Sequence, residues 1–191
     1  MKHSLSAVLV LASVAFSAAP GLAQAQQKLV PAQSEIVFVS KQMGVPVEGR
    51  FKKFDAQLVF DPKQLATSKI GFTVDLGSAS LGAAETEAEL AKPGWFNTKT
   101  FPQATFQSSG IKALGGGKFE VAGKLSIKGN VRDVLVPVTL TQAGGNTTAA
   151  GNFAIKRLEY KIGEGEWNDA SLVADDVQVK FKLTLTGVNP L

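Results

Sequence analysis

Acidic side chains gather in one glycine-rich stretch near the end of the chain. Glu164, Glu166 and Asp169 flank Trp167 there, and carboxylates can bind a hard cation or act as an acid and base pair. Their spacing does not match an EF-hand loop. Because glycine and asparagine surround them, a solvated loop is the favoured interpretation. A metal-dependent or acid/base enzyme that uses this loop stays as the alternative.

The residue types that most often carry enzyme chemistry are scarce. The sequence has no cysteine and a single histidine, His3. Without cysteine, disulfides, thiolate nucleophiles and thiolate metal sites are excluded. His3 lies in a segment that we expect to be removed, which would leave no imidazole as a general base near neutral pH. We therefore predict no catalytic residues, no metal site and no cofactor other than a bound lipid.

Basic side chains are spread along the chain, and the net charge is +4. The densest group is Arg50, Lys52 and Lys53, which could meet a polar head group or form a solvated strand edge. Nucleic-acid binding would require a concentrated basic stripe. We therefore expect no nucleic-acid partner.

Phenylalanine dominates the aromatic residues, with 12 Phe against one Tyr and two Trp. Most of these rings fall on the apolar phase of alternating segments. They could simply fill a core, as most buried phenylalanines do, or some could line a cavity for an apolar chain. Periodicity by itself favours the filled core.

Alternation of apolar and polar residues runs through most of the chain, and it indicates strands with one buried face. Turn residues such as Asp61-Pro62 and the glycines at 115–117 separate these segments and favour hairpins. Eight antiparallel strands could form a sandwich or a barrel, and we favour the barrel because closure removes exposed edges. We predict an eight-stranded antiparallel lipocalin-like β-barrel, wide enough to hold one ligand. Its strands are centred on residues 36–38, 54–60, 70–76, 104–108, 119–127, 134–140, 151–155 and 177–185.

Two segments interrupt the alternation. Residues 83–91 read AAETEAELA and precede Pro93 and Gly94, which predicts a short helix outside the sheet. Residues 157–171 have no periodicity and predict an ordered loop around Trp167.

The first 25 residues have the pattern of a signal peptide. Lys2 precedes an apolar run over residues 5–19, and Ala23-Gln24-Ala25 offers a cleavage site of small residues. We expect cleavage after Ala25, one domain over residues 26–191, and a soluble periplasmic protein.

The mature sequence resembles the YceI-like family of polyisoprenoid-binding proteins. The resemblance covers about residues 30–186, and it depends on the order and spacing of several short motifs. These motifs are SEIVF at 34–38, VEGRF at 47–51, FDA at 54–56, FDP at 60–62, FPQATF at 101–106, GKLSIKG at 123–129, and the strand at 177–185.

The resemblance implies an elongated apolar pocket for an isoprenoid tail, which favours the cavity over the filled core. The expected partner is a long-chain isoprenoid lipid or quinone, with transient membrane contact and with the oligomeric state open, a homodimer being one option. A ligand-free structural protein stays as a further alternative. The predicted ligand-binding residues are Phe38, Phe54, Phe72, Val74, Trp95, Phe106, Phe119, Leu125, Val136, Phe153, Trp167 and Phe181.

Two positions depart from the family pattern. The chain has Gln42-Met43-Gly44 where the family often has His-x-Gly, and Glu85-Thr86-Glu87 where it often has an Arg-Asp pair. The resemblance implies that both positions could touch the ligand's head group.

Overall fold

The computed structural model describes residues 26–191, and the chain there is mostly β-strand. The predicted signal peptide, residues 1–25, lies outside the described residues. The strands are β1 (Lys28–Leu29), β2 (Glu35–Gln42), β3 (Val45–Phe51), β4 (Phe54–Val59), β5 (Lys69–Asp75), β6 (Ala79–Ser80), β7 (Gln103–Gly115), β8 (Lys118–Ile127), β9 (Asn130–Ala143), β10 (Asn146–Lys156) and β11 (Asp176–Thr186). Within residues 26–191 one α-helix, α1, spans Ala84–Leu90, and 3-10 turns span Pro31–Gln33, Leu76–Ser78, Arg157–Tyr160 and Gly165–Asn168.

The strands form a single curled antiparallel sheet, a half-barrel. Their order across the sheet is β4-β5-β7-β8-β9-β10-β11-β2-β3-β6, and β1 pairs with β11 beyond the end of β2. Every pairing is antiparallel. Most neighbours along this order are joined by hairpins, as the turn residues predict. The predicted antiparallel lipocalin-like fold with a short helix is confirmed.

The sheet has more strands than the eight predicted, and backbone hydrogen bonds do not close it into a complete barrel. Strand β3 was missed because Gly49 occupies an inward position and weakens the alternation, while β1 and β6 are two residues long and too short to show a period. Strands β4 and β6 end the sheet and do not pair with each other in the part of the chain that the structure describes.

A side chain bridges β1 and the end of β4, where backbone pairing is absent. The Gln27 amide donates from Nε2 to the Phe60 carbonyl at 2.6 Å and accepts from the Phe60 backbone N–H at 2.8 Å. This reciprocal pair takes the place of a ladder bond and satisfies a backbone edge that would otherwise be open.

The core consists of two apolar clusters. The first joins Trp95, Phe96 and Leu90 of the α1 region to the 157–175 loop through Tyr160 and Val173. The second contains Phe60, Phe119, Leu140, Ala149 and Leu185. The predicted helix is therefore confirmed, and its last residue, Leu90, packs into the first cluster.

Strand phase follows the predicted pattern on both faces of the sheet. Along β11, Val179, Phe181 and Leu183 are partly buried, whereas Lys180 and Lys182 between them are exposed. Among residues 26–191, no helix has both the length and the apolar character needed to cross a membrane.

Candidate functional site

A cavity of about 280 Å³ extends along the inside of the curled sheet. Both core clusters contribute to its wall, which consists mainly of aliphatic and aromatic side chains. The polar residues on this wall are Ser40, Thr105 and Arg157. A concave site with an apolar lining and a few polar groups is typical of small-molecule binding, and this volume is near the lower end of the usual ~300–1,000 Å³.

The cavity brings together ten of the twelve predicted ligand-binding residues. They are Phe38, Phe72, Val74, Trp95, Phe106, Phe119, Leu125, Val136, Phe153 and Phe181. Phe54 and Trp167 do not line the wall: Phe54 stacks on Phe72 with ring centroids 6.0 Å apart, and Trp167 packs on Trp95 at 5.7 Å. The role of all twelve in ligand binding stays a prediction.

Other wall residues were missed by the sequence reasoning. Leu58 and Phe60 share the inward phase of β4, so the alternation that identified their neighbours could also have identified them. Phe51 ends β3, which was not predicted as a strand. Phe96 follows α1 in an irregular segment, where periodicity gives no signal.

Three wall phenylalanines pack closely against glycines of the sheet. A Cβ on Gly49 would be 2.2 Å from Phe38 Cζ, and one on Gly123 would be 2.4 Å from Phe106 Cζ. A Cβ on Gly151 would be 2.5 Å from Phe181 Cζ and 2.2 Å from the Pro137 carbonyl oxygen. Only glycine leaves room for a ring at these positions. The glycines therefore keep these rings close to the wall and the interior open.

Arg157 holds the 157–175 loop against one end of the cavity. Its side chain is fully buried, and its N–H groups donate to five backbone carbonyls at 2.7–3.1 Å. These carbonyls belong to Ile162, Gly163, Trp167, Val173 and Ala174. Burial lowers the pKa of Arg157, and the charge of Asp175 opposes that shift. The guanidinium's five donors are all occupied, so the loop has a fixed shape.

Glu164 and Asp169 of the same loop form hydrogen bonds with different partners. Lys128 is buried, and its Nζ donates to Glu164 Oε2 at 2.8 Å and to the Lys161 carbonyl at 2.6 Å. This hydrogen bond lowers the pKa of Glu164. Asp169 accepts from the Ser171 backbone N–H at 2.8 Å, and its contacts with Ser171 lower its pKa.

Carboxylates with lowered pKa values are poor proton donors and weak bases near neutral pH. Among residues 26–191, no three acidic or histidine side chains come close enough to hold a metal ion. The contacts of Glu164 and Asp169 therefore do not favour a role for these two carboxylates as an acid and base pair.

The basic group of Arg50, Lys52 and Lys53 is exposed and lies outside the cavity wall. Lys52 Nζ is 4.0 Å from Glu87 Oε1 on α1. The side chains are solvated, but they do not form a strand edge, because Arg50 pairs with both β2 and β6, and Lys52 and Lys53 lie between β3 and β4.

The model of the YceI-like domain matches residues 27–185 of the chain. The chain belongs to the YceI-like family. This YceI-like chain is similar to the protein YceI of Escherichia coli O157:H7, with 34% identity over 144 residues that cover 73% of this chain and 71% of that protein.

Solved structures show the same fold. BcnA of Burkholderia cenocepacia is 48% identical, with a TM-score of 0.79 over 82% of the YceI-like chain and 98% of BcnA. A domain from Saccharophagus degradans, described as polyisoprenoid-binding and implicated in plant cell wall breakdown, is 18% identical, with a TM-score of 0.68 over 84% of this chain and 98% of that one. At that identity the second likeness concerns the fold alone.

Both departures from the usual family pattern lie outside the cavity wall of this YceI-like chain. Met43 and Gly44 form the tight turn between β2 and β3, with φ values of 47° and 80°. On α1, Glu87 accepts a hydrogen bond from the Ser80 hydroxyl at 2.6 Å, which lowers the pKa of Glu87. The geometry therefore does not support contact between these positions and a ligand in the cavity.

Proposed function

We propose that this protein binds a long-chain isoprenoid lipid, such as a quinone or a polyprenyl species, inside the half-barrel and carries it without chemical change. The observation that carries the proposal is the cavity of about 280 Å³ with its almost entirely apolar wall. The description of the Saccharophagus degradans domain as polyisoprenoid-binding supports it. A filled core, as in the ligand-free alternative, would not leave this space.

The energetics favour enclosure of an apolar tail. Each methylene moved from water into an apolar cavity gains ~0.8 kcal/mol. Ordering of the chain and loss of free motion offset much of that gain, which leaves ~0.3 kcal/mol per heavy atom for a larger ligand. A tail of several isoprene units is then held tightly enough to survive purification. Part of a longer tail would extend beyond a cavity of this volume.

Organic extraction followed by mass spectrometry of the purified protein tests the proposal. Val136 is a buried wall residue, and Leu135 beside it on β9 is 54% exposed. We expect Val136→Phe to reduce the bound lipid several-fold because the added ring occupies the cavity, whereas Leu135→Phe should leave it unchanged. Equal lipid content in both variants, or none in the wild type together with no uptake of a supplied quinone, would end the carrier hypothesis.

We further propose that the carrier acts in the periplasm. The pattern of Lys2, the apolar run over residues 5–19 and the Ala23-Gln24-Ala25 site supports export. N-terminal sequencing of the protein recovered from its host should begin at Gln26. Retention of Met1 would contradict the location.

Transient contact with a membrane would allow the lipid to enter and leave. Met43 and Val45 at the turn between β2 and β3 are 76% and 63% exposed, and Met43 N–H donates to the Leu172 carbonyl of the loop beside the cavity. Apolar side chains at this tip could enter a lipid surface. Met43→Ser should slow lipid transfer between vesicles at unchanged equilibrium binding, and an unchanged transfer rate would exclude this tip.

A further inference from the structure

The backbone pairing between β9 and β10 ends halfway along the two strands. Within the part of the chain that the structure describes, residues 139–143 of β9 pair with residues 146–150 of β10, although β9 begins at Asn130 and β10 continues to Lys156. On either side, β8 pairs with β9 and β10 pairs with β11 along the whole lengths of β8 and β10. Residues 130–138 and 151–156 therefore face each other without backbone pairing, and we call the line between them the β9–β10 seam.

Pro137 explains why the pairing stops. The Leu140 backbone N–H donates to the Gly117 carbonyl on the β8 side, and successive residues of a strand direct their backbone groups to alternate neighbours. The backbone nitrogen of Pro137 therefore points towards β10, where proline has no N–H to donate. The Pro137 carbonyl oxygen also lies so close to Gly151 that a Cβ there would be 2.2 Å away. The seam begins at this contact.

Side chains bridge the other end of the seam. Arg132 Nη2 donates to the Glu159 carbonyl at 2.9 Å, and Asn130 Nδ2 donates to the Tyr160 carbonyl at 3.2 Å. Arg132 is paired with Leu125, which lines the cavity, and paired residues share one face of a sheet. Arg132 is therefore on the inward face, and yet its side chain is 44% exposed. Water thus reaches the inward face of β9 at this end of the seam.

The seam separates the cavity from apolar groups on the outer surface. Its inner side is flanked by four residues of the cavity wall, Val136, Val138, Phe153 and Ile155. On the outer side, Val131 is 48% exposed, and Pro137 and Ala154 are exposed as well. An apolar chain that lay in the seam would therefore meet apolar side chains on both faces of the sheet.

Passage through the seam requires less disruption than passage elsewhere. Separation of two paired strands leaves backbone donors and acceptors without partners, whereas the strands along the seam have no mutual pairing to lose. The loop over one end of the cavity is held by the five hydrogen bonds of Arg157, which would have to break for a lipid to pass there. An apolar tail in the seam displaces side-chain contacts and replaces them with its own.

We propose that the β9–β10 seam is a lateral portal through which the isoprenoid tail passes between a lipid bilayer and the cavity. Val131, Pro137 and Ala154 then face the acyl chains of the bilayer, and the bridges of Arg132 and Asn130 close the seam after passage. This inference rests on the proposed function and adds to it the route of the ligand. A portal sets the rates of uptake and release and leaves the dissociation constant unchanged.

A reversible cross-link across the seam tests the portal. Asp133 and Lys156 are exposed, and they would be opposite each other if the register of Thr139 and Ala150 continued. Because the chain has no cysteine, ethane-1,2-diyl bismethanethiosulfonate can join the two thiols of Asp133→Cys/Lys156→Cys alone. The matched control is Lys124→Cys/Asp133→Cys with the same cross-link, since Lys124 and Asp133 pair within the continuous β8–β9 ladder.

The rates are measured with a four-isoprene menaquinone in phosphatidylcholine vesicles and the delipidated mature protein. Protein and vesicles are separated at successive times, and the quinone in each is quantified by mass spectrometry. We expect the seam cross-link to slow uptake and release by about ten-fold, with the same amount bound at equilibrium. Reduction with dithiothreitol should restore both rates, and the control cross-link should change neither rate by more than about two-fold.

A second variant tests the portal without a cross-link. Arg132→Met removes one bridge across the seam and should speed uptake and release about three-fold at unchanged equilibrium binding. Arg50→Met is its control, because Arg50 is an exposed arginine on β3, away from the seam, and both rates should stay unchanged. The neutral vesicles prevent the lost charge from altering attraction to the lipid surface. If the cross-link does not form, equal rates in Arg132→Met and the wild type refute the portal.

The outcomes distinguish the portal from the proposed function. Failure of the wild type to take up menaquinone refutes the proposed function itself. Equal rates in the seam-cross-linked and control-cross-linked proteins refute the portal while lipid binding stands. Uptake per molecule that slows as the protein concentration rises would indicate that a second copy of the chain covers the seam, which would also overturn a portal that faces the bilayer.

Discussion

Replacement of Arg157 by methionine should open the loop end of the half-barrel. Methionine keeps an unbranched apolar stem but is shorter and has no donor, so five carbonyls lose hydrogen bonds of 2.7–3.1 Å at once. If all five stayed buried, a loss of ~1–3 kcal/mol each would reach the whole stability of a typical domain, ~5–15 kcal/mol. The loop can instead separate from the barrel and hydrate its carbonyls, which limits the loss. We expect the free energy of unfolding to fall by about 3–5 kcal/mol.

Urea denaturation measures the global loss, and amide hydrogen exchange locates it. Residues 162–174 should exchange faster in Arg157→Met, while the amides of β8 and β9 keep their protection relative to global unfolding. Arg157→Lys should recover only part of the loss, because an ammonium has three donors for five carbonyls.

Arg132 supplies the matched control. Its side chain is about half exposed, and it donates to the carbonyls of Val131 and Glu159. Arg132→Met should change stability by no more than about 0.5 kcal/mol. A loss of less than about 1 kcal/mol in the free energy of unfolding of Arg157→Met, with amide exchange of the loop as in the wild type, would show that the five carbonyl contacts do not hold the loop.

Three further substitutions probe the wall and the loop. Gly49→Ala should lower the free energy of unfolding by about 1–3 kcal/mol and reduce lipid uptake. Its Cβ would be 2.2 Å from Phe38 Cζ, so the ring would have to move towards the cavity; unchanged uptake would contradict this. Phe72→Ala should cost less than the ~3–5 kcal/mol typical of a fully packed ring, since Phe72 is only partly buried beside the cavity; a full loss in chemical denaturation would indicate a filled core. The hydrogen bond with Lys128 lowers the pKa of Glu164 below 4.5. The contact therefore stabilises the fold above pH 4.5, and this stabilisation is lost as the pH falls through the lowered pKa of the folded state. Acid titration should therefore destabilise the wild type more than Glu164→Gln, and parallel curves would exclude the contact.

Strand phase could be predicted from the sequence because it depends on neighbours two residues apart. Once Phe119, Val121 and Leu125 alternate with polar residues, one face of β8 must be buried, and all three line the cavity. The same rule gave the exposure of Lys180 and Lys182. The rule failed for β3, because Gly49 has no side chain that would mark its position as inward-facing. The same glycine makes room for the Phe38 ring.

The tertiary structure decided what the periodicity could not express. Apolar alternation is the same for a filled core and for a lined cavity, because both bury the same face of each strand. Whether space remains depends on the curvature of the sheet and on which rings lie over glycines such as Gly123 and Gly151.

The loop-covered end of the cavity was also decided by contacts between distant parts of the chain. In the sequence, the Arg157 segment is only a break in the alternation, and Ser40 and Trp95 carry no shared motif. Folding places all three on one wall because the loop closes over the end of β2 and the segment after α1. A local pattern determines which face of a strand is apolar, but only the three-dimensional path of the chain determines which distant segments meet at the end of the cavity.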